Sequence, residues 1–283
     1  MKIAFLFLTI EDLNHEYLWK EYFKGNEKKY NIYCHPKEKN DVKSDWLKKY
    51  IINKNVETSW GRTLNAIIEL LKEALKNKDN EYFILLTESC VPVKSFTKFF
   101  NFLSKKKNKS FIKELNISKY DKKARLVNIV NIDNYNIIKH NASWVLSRHY
   151  VKKLLYKEDD IKNFLNVDSQ DQFFLSLIYN KDNFVNYEIV NIDWNYVLNF
   201  TKELEEIYYN LDEIHKKKEI LYEYDELQEA KKRIFKEVGK HPRTYYEVDE
   251  EIIKNLIESE SFFARRFDKE SNILEFKDDL LKL

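Results

Sequence analysis

The stretch GRTLNAIIELLKEALKNKDNEYFILLT at 61–87 decides the fold class, because it joins an amphipathic helix to a buried strand. Its first part, 61–78, carries apolar side chains at helical spacing and is the clearest helix of the chain. Its last part, 81–87, is a short continuous apolar run, which is typical of a strand covered on both faces. A helix that leads directly into such a strand indicates an α/β fold.

The residues before this stretch supply the preceding strands. KIAFLFLT at 2–9 predicts a buried first strand, 13–24 predicts a helix, and YNIYCH at 30–35 predicts a second strand closed by Pro36. Strands separated by helices favour a mostly parallel central sheet with right-handed crossovers and helices on its faces. Ligands of such sheets bind at the carboxyl ends of the strands, so we look for the site there.

The pattern continues further along the chain. ASWVLS at 142–147 predicts a strand, and 148–157 predicts a helix. Residues 169–179 predict another helix, for which Asp168 or Ser169 is a candidate cap, and YEIVNID at 187–193 predicts a further strand. The α/β alternation therefore extends over about the first 200 residues.

Residues 201–238 differ in character from the rest. They are highly charged, helical in pattern, and contain neither Gly nor Pro. We expect a helical insert, either a hairpin or one long helix, packed on a single domain that comprises residues 1–283. A partner-binding coil is the alternative for this segment.

Composition excludes several classes of function. Lys and Arg total 49 against 47 Asp and Glu, and this net charge of +2 argues against nucleic acid as the main partner. No apolar run is long enough to span a membrane, so the sequence predicts a soluble, cytoplasmic protein, although peripheral membrane association stays open. The two cysteines, Cys34 and Cys90, predict no disulfide framework.

Most motifs of phosphate and metal chemistry are absent from the sequence. It contains no GxGxxG, P-loop, GxSxG or HExxH, and its six His lack metal-ligand spacing. No strand is followed by a convincing Asp-x-Asp. A sugar transferase without that motif must neutralise its departing diphosphate with fixed Arg or Lys side chains.

The C-terminal region contains such donors, and a nearby segment contains candidate acids. Arg243 follows His-Pro, and Arg265 and Arg266 lie in FFARRFD. Asp168 and Asp171 are the carboxylates that could act as a general base. From the residues alone, solvated arginines and helix-capping acids are the ordinary alternatives.

Several segments, in order along the chain, resemble the core-2/I-branching β-1,6-N-acetylglucosaminyltransferase family and its plant-type relatives. The resemblance covers residues 2–200 and 239–268, and its most specific element is the pair HPRTYYEVD and SFFARRFD. The other similar segments are KIAFLFLT, YNIYCHPKE, ETSWGRTLNAIIELLKEAL, EYFILLTESCVPVKSF, ASWVLSRHYVKKLL, SQDQFFLSLI and YEIVNIDWN.

The resemblance implies a GT-A-like nucleotide-sugar transferase fold and an inverting, metal-independent enzyme without a cofactor. The partners it implies are a UDP-sugar donor, with UDP-GlcNAc as the first choice, and a hydroxyl of a glycan acceptor. Another donor such as UDP-xylose, or a catalytically weak glycan-binding protein, remains the alternative. Asp171 takes the place of the catalytic Glu of the family, with Asp168 as the alternative.

The resemblance also assigns the remaining site residues. Arg243 and Arg266 match the two basic residues that hold the donor diphosphate, and no metal ligand is expected. The donor pocket is expected to contain His35, Trp60, Glu88, Ser89 and Cys90. The acceptor side is expected to contain Ser143, Trp144 and Trp194.

Overall fold

A computed structural model describes residues 1–119, 121–194 and 242–281. The predicted helical insert at 201–238 lies outside the described residues, and the single-domain boundary 1–283 stays a prediction.

The central sheet has six strands in the order β2-β1-β3-β6-β5-β7. Strand β6 pairs antiparallel with both β3 and β5, whereas the pairs β1–β2, β1–β3 and β5–β7 are parallel. The mostly parallel α/β sheet predicted from the sequence is therefore confirmed. The strands of the chain are β1 Lys2–Thr9, β2 Tyr30–Pro36, β3 Asn80–Thr87, β4 Val91–Pro92, β5 Ser110–Leu115, β6 Lys139–Ser147, β7 Phe184–Asn186, β8 Val190–Ile192 and β9 Phe263–Arg265.

Helices cover both faces of this sheet because the buried strands alternate their side chains between two cores. On β1, Ala4 and Leu6 face the core that contains α3 and α5, and Phe5 and Phe7 face the core that contains α1 and α4. All four side chains are fully buried. The helices are α1 Glu16–Phe23, α2 Asp45–Lys48, α3 Leu64–Leu75, α4 Phe96–Ser104, α5 Arg148–Tyr156, α6 Glu158–Ile161, α7 Glu250–Glu258 and α8 Lys277–Leu281.

A second sheet of three strands brings the C-terminal region to the carboxyl ends of the central strands. Its order is β4-β9-β8, with β9 antiparallel to β4 and parallel to β8. Strand β4 begins four residues after β3 ends, so β9 is held next to the end of a central strand. A third apolar cluster, which includes side chains of α1, α7 and α8, packs around this small sheet.

The structure corrects two predicted helices. The helix predicted at 61–78 begins only at Leu64, because Gly61 lies in a tight turn with φ +70°, where a Cβ would approach the Ser169 nitrogen to 3.1 Å. The helix predicted at 169–179 is two short 3₁₀ turns, Gln170–Gln172 and Phe174–Leu177. All four residues of the second turn are buried, so this turn lacks the solvent-exposed polar face that a surface helix has.

Candidate active site

The loop Glu88–Ser89–Cys90 begins at the carboxyl end of β3 and is fastened from two sides. The Phe267 amide donates to the Ser89 carbonyl oxygen at 3.0 Å, and the Trp19 indole donates to the Cys90 carbonyl oxygen at 3.1 Å. The Cys90 side chain is fully buried, and burial raises the pKa of its thiol. Cys90, predicted as a donor-pocket residue, therefore lies in the core, and its side chain is closed to a ligand.

Arg265 and Arg266 lie beside this loop. Ala264 of β9 pairs with Val91 of β4, and Arg265 follows directly after this pair. The guanidinium charges of both arginines act on Glu88. Burial raises the pKa of Glu88, and these two positive charges offset only part of that rise.

Asp171 is positioned by its neighbour Gln170. The Gln170 side chain accepts from the Leu64 backbone amide at 3.2 Å and donates to the Leu165 carbonyl oxygen at 2.6 Å. The backbone amide of Gln170 donates to the Gly61 carbonyl oxygen at 3.3 Å. The start of α3 thereby fixes the segment that carries the acid.

Asp171 is half-buried, and protein atoms surround its carboxyl group. Burial raises the pKa of its carboxyl, and the positive charges of Arg265 and Arg125 oppose that rise. A half-buried aspartate with a raised pKa is suited to accept a proton from a bound hydroxyl.

Asp168, the alternative acid, has a different environment. Its side chain is 66% exposed and pairs with Arg62 at 3.3 Å, instead of capping a helix. Exposed pairs of this kind contribute little to stability.

Arg243 lies on a segment that runs beside Arg266. The Tyr245 amide donates to the Arg266 carbonyl oxygen at 2.8 Å, and the Tyr245 and Phe267 rings stack with centroids 4.8 Å apart. The Arg243 guanidinium lies over the Tyr245 ring at 4.8 Å and within 3.8 Å of the Asp193 carboxylate. The two arginines assigned to the diphosphate are thus on adjacent, hydrogen-bonded segments.

Two other predicted donor-pocket residues, His35 and Trp60, differ widely in solvent exposure. His35 is fully buried, and its Nε2 accepts from the Val56 amide at 3.0 Å. Burial lowers the pKa of His35 and favours the neutral imidazole. Trp60 is 76% exposed on the turn at Gly61 that contacts the segment before Asp171.

The predicted acceptor-side residues also differ in solvent exposure. Ser143 and Trp144 are buried in β6, and the Trp144 ring packs edge-on against Phe174 with centroids 6.1 Å apart. Trp194, just beyond β8, is 38% exposed. Of these three side chains, only that of Trp194 is open to a ligand.

Sequence reasoning missed one charged cluster near Asp171. Asp121 is covered by its neighbours and accepts from Arg125 at 2.9 Å, from Lys139 at 2.8 Å and from the Ser118 hydroxyl at 2.8 Å. Arg125 in turn acts on Asp171. The four-residue spacing of Asp121 and Arg125, which is favourable for an ion pair within a helical turn, was the available signal.

The described residues contain neither a candidate metal site nor a candidate membrane span. Within 1–119, 121–194 and 242–281, no three His, Cys, Asp or Glu side chains are grouped so that they could hold a metal ion. No helix in these ranges has the length and hydrophobicity needed to cross a bilayer.

The fold is an α/β sheet, a class in which ligands bind at the carboxyl ends of the strands, and two arginines lie beside the loop that follows β3. The family model "Core-2/I-Branching enzyme" matches residues 3–256. The chain therefore belongs to the core-2/I-branching enzyme family, as the sequence resemblance indicated.

The sequence identity to an individual relative is low. The chain is 24% identical over 173 residues to "Glycosyltransferase BC10" of Oryza sativa subsp. japonica, a match that covers 58% of this chain and 42% of that protein. The chain thus spans less than half the length of this curated relative.

Two solved structures show weak similarity. One is the galactosyltransferase LgtC in complex with donor and acceptor sugar analogs, with 11% identity, coverage of 69% of this chain and 77% of that chain, and a TM-score of 0.37. The other is 4-diphosphocytidyl-2C-methyl-D-erythritol synthase from Anaerococcus prevotii DSM 20548, with 18% identity, coverage of 56% and 76%, and a TM-score of 0.31. TM-scores this low carry no functional information.

Proposed function

We propose that the protein is an inverting glycosyltransferase that moves a sugar, with GlcNAc as the first choice, from a UDP-sugar to a hydroxyl of a glycan. Membership of the core-2/I-branching family supports the reaction class. The observation that carries the proposal is the pairing of β9 with β4, which brings Arg265 and Arg266 beside Glu88 in the loop after β3.

In the proposed reaction, Asp171 accepts the proton of the acceptor hydroxyl as that oxygen attacks the anomeric carbon. The carbon–oxygen bond to UDP breaks on the opposite face, so an α-linked donor yields a β-linked product. A base with a raised pKa binds this proton more strongly than an ordinary aspartate does. The bond electrons leave with the UDP diphosphate, whose charge grows during this step.

Arg243 and Arg266 are proposed to stabilise that growing charge. Fixed donors in a partly dry site contribute about 2.7–4 kcal/mol each to transition-state binding, by analogy with oxyanion donors. The side chain of Arg243 is 29% exposed, which leaves it accessible to a diphosphate. With two guanidinium groups in this role, the reaction needs no metal ion.

The acceptor is proposed to bind near the exposed ring of Trp194, and the exposed ring of Trp60 is proposed to contact the donor sugar. Sugar rings have apolar faces that pack well on exposed aromatic side chains. Trp60 is the more exposed of the two and stands on the turn next to the Asp171 segment.

A UDP-sugar panel tests the proposal. Turnover is measured by UDP release with a series of glycan acceptors, and the anomeric configuration of the product is read by NMR. We expect transfer with inversion, persistence of activity in EDTA, and a loss of about 10²–10³-fold in kcat for Arg266→Ala. Binding of UDP-sugar without transfer would favour the glycan-binding alternative, and loss of activity on chelation would contradict metal independence.

A further inference from the structure

A cavity of about 480 Å³ lies at the amino end of β3, at the opposite edge of the central sheet from the loop Glu88–Ser89–Cys90. Tyr82, near the start of β3, lines this cavity, and Glu88 follows the last residue of the same strand. At about 3.3 Å per residue, the strand separates these two residues by about 20 Å. The cavity is therefore distinct from the proposed active site.

Apolar residues make up much of the wall of this cavity. Tyr82, Phe100 and Leu103 line it together with Met1. The Tyr82 hydroxyl donates to the Lys106 carbonyl oxygen at 2.6 Å, which holds the turn after α4 against β3. A cavity of this size with aromatic and aliphatic walls is typical of binding sites for small molecules.

One buried hydroxyl in the wall lacks a partner. Ser147, the last residue of β6, pairs with Tyr82 of β3 and lines the cavity. Ser147 is 2% exposed, and its Oγ forms no hydrogen bond with any residue that the structure describes. Because a buried hydroxyl without a partner is costly, a ligand that offers an acceptor to Ser147 gains affinity.

The surroundings of Ser147 favour a negatively charged acceptor. Helix α5 begins at Arg148, directly after Ser147, and its amino terminus has neither a capping side chain nor an acidic residue in the first turn. The amino terminus of a helix attracts negative charge. Lys107 lines the cavity as part of the run KKK at 105–107, and Glu81 is the acid among the described lining residues, so positive charge is in excess.

We propose that this cavity is a second ligand site, which binds a small organic anion with an apolar body. The body lies against Tyr82, Phe100 and Leu103, and the anionic group accepts a hydrogen bond from the Ser147 hydroxyl and faces Lys107. The inference goes beyond the proposed function and does not depend on sugar transfer.

The test uses two fluorescent probes that share an aromatic body. Anilinonaphthalenesulfonate carries a sulfonate, and phenylnaphthylamine is its uncharged analogue. Each is titrated into the full chain at neutral pH, and calorimetry gives the stoichiometry. We expect the sulfonate to bind at one site, and saturating UDP to leave it bound because the proposed active site is at the other edge of the sheet.

Two variants test the groups assigned to the anion. Ser147→Ala should weaken binding of the sulfonate about tenfold, because a hydrogen bond to a charged group is lost. Lys107→Gln should weaken it about twofold to threefold, and less at high salt, because Lys107 is exposed. Both variants should leave the affinity for the uncharged probe nearly unchanged.

Ser104→Ala is the matched control. Ser104 lines the same cavity, but its hydroxyl already donates to the Phe100 carbonyl oxygen at 2.7 Å, so its removal should leave both affinities near the wild-type values. Four results would overturn the proposal: no binding of the sulfonate, its displacement by UDP, equal losses in Ser104→Ala and Ser147→Ala, or losses that extend equally to the uncharged probe. If Ser147→Ala does not fold, Lys107→Gln decides, because a loss confined to the sulfonate supports the proposal and an unchanged affinity overturns it.

Discussion

The surroundings of Asp121 and of Asp171 both combine burial with nearby positive charge, yet the pKa values of the two carboxyls shift in opposite directions. Around Asp121, burial by itself would raise the pKa of the carboxyl, but hydrogen bonds from Lys139 and Ser118 outweigh it and the pKa falls. Around Asp171, burial is the dominant influence and the pKa rises despite Arg265 and Arg125.

The difference lies in geometry rather than in composition. Asp121 is only 1% exposed, and both of its carboxylate oxygens accept hydrogen bonds. Asp171 is half-buried, burial dominates the pKa of its carboxyl, and Arg265 and Arg125 act on it through charge. A saturated acid stabilises structure, whereas an acid with spare capacity can accept a proton from a substrate.

Asp171→Asn should give the largest effect on function. Loss of the general base is expected to lower kcat by about 10²–10⁴-fold. The variant should fold at least as stably as the wild type, because it removes a desolvated charge. UDP affinity, measured by calorimetry, serves as the control and should change little. A kcat within threefold of the wild-type value would show that another group is the base.

Asp121→Asn should give the largest effect on stability. Removal of one partner from a buried pair costs about 3–5 kcal/mol, and we expect about 3 kcal/mol here because Arg125 and Lys139 retain 21% and 17% exposure. Urea unfolding measures the change. UDP binding should persist in the folded protein. A change in the free energy of unfolding below about 1 kcal/mol would contradict the structural role assigned to Asp121.

The two acids should also give the stability opposite dependences on pH. The pKa of Asp121 is depressed in the folded state, so its stabilisation is present above the unfolded pKa and is lost as the pH falls through the folded pKa. The pKa of Asp171 is raised, so its ionisation weakens the fold as the pH rises through the folded pKa. Unfolding free energies between pH 3 and pH 8 for the wild type and both Asn variants test this.

The expected outcome is that Asp121→Asn flattens the acidic fall in stability and Asp171→Asn raises stability at neutral pH. The same direction of change in both variants would remove the contrast between the clusters.

The fold was largely predictable because local patterns specify it. The continuous apolar runs at 2–9 and 81–87 and the amphipathic stretch at 61–78 were each confirmed as the expected element, although the helix is confined to Leu64–Leu75. The failure at 169–179 arose because a wholly apolar face can be buried by short turns as well as by a helix.

The site was only partly visible in the sequence. The acid and the C-terminal arginines were identified by their similarity to a family, which does not show their neighbours. That the C-terminal arginines lie beside the loop Glu88–Ser89–Cys90 depends on the pairing of β9 with β4, a contact between residues about 170 positions apart. Likewise, burial of Cys90 and Trp144 depends on packing that no local pattern specifies.

Asp168→Asn should give the smallest effect, and it is the matched control for Asp171→Asn three residues away. The Asp168 carboxylate is 66% exposed and its partner Arg62 is 55% exposed, so solvent screens the pair. We expect a stability change within about 0.5 kcal/mol and kcat within about twofold of the wild type. The two acids differ mainly in their surroundings. A large loss of kcat in Asp168→Asn alone would therefore assign the role of base to Asp168. It would also show that burial of the carboxylate does not determine which of the two acids is catalytic.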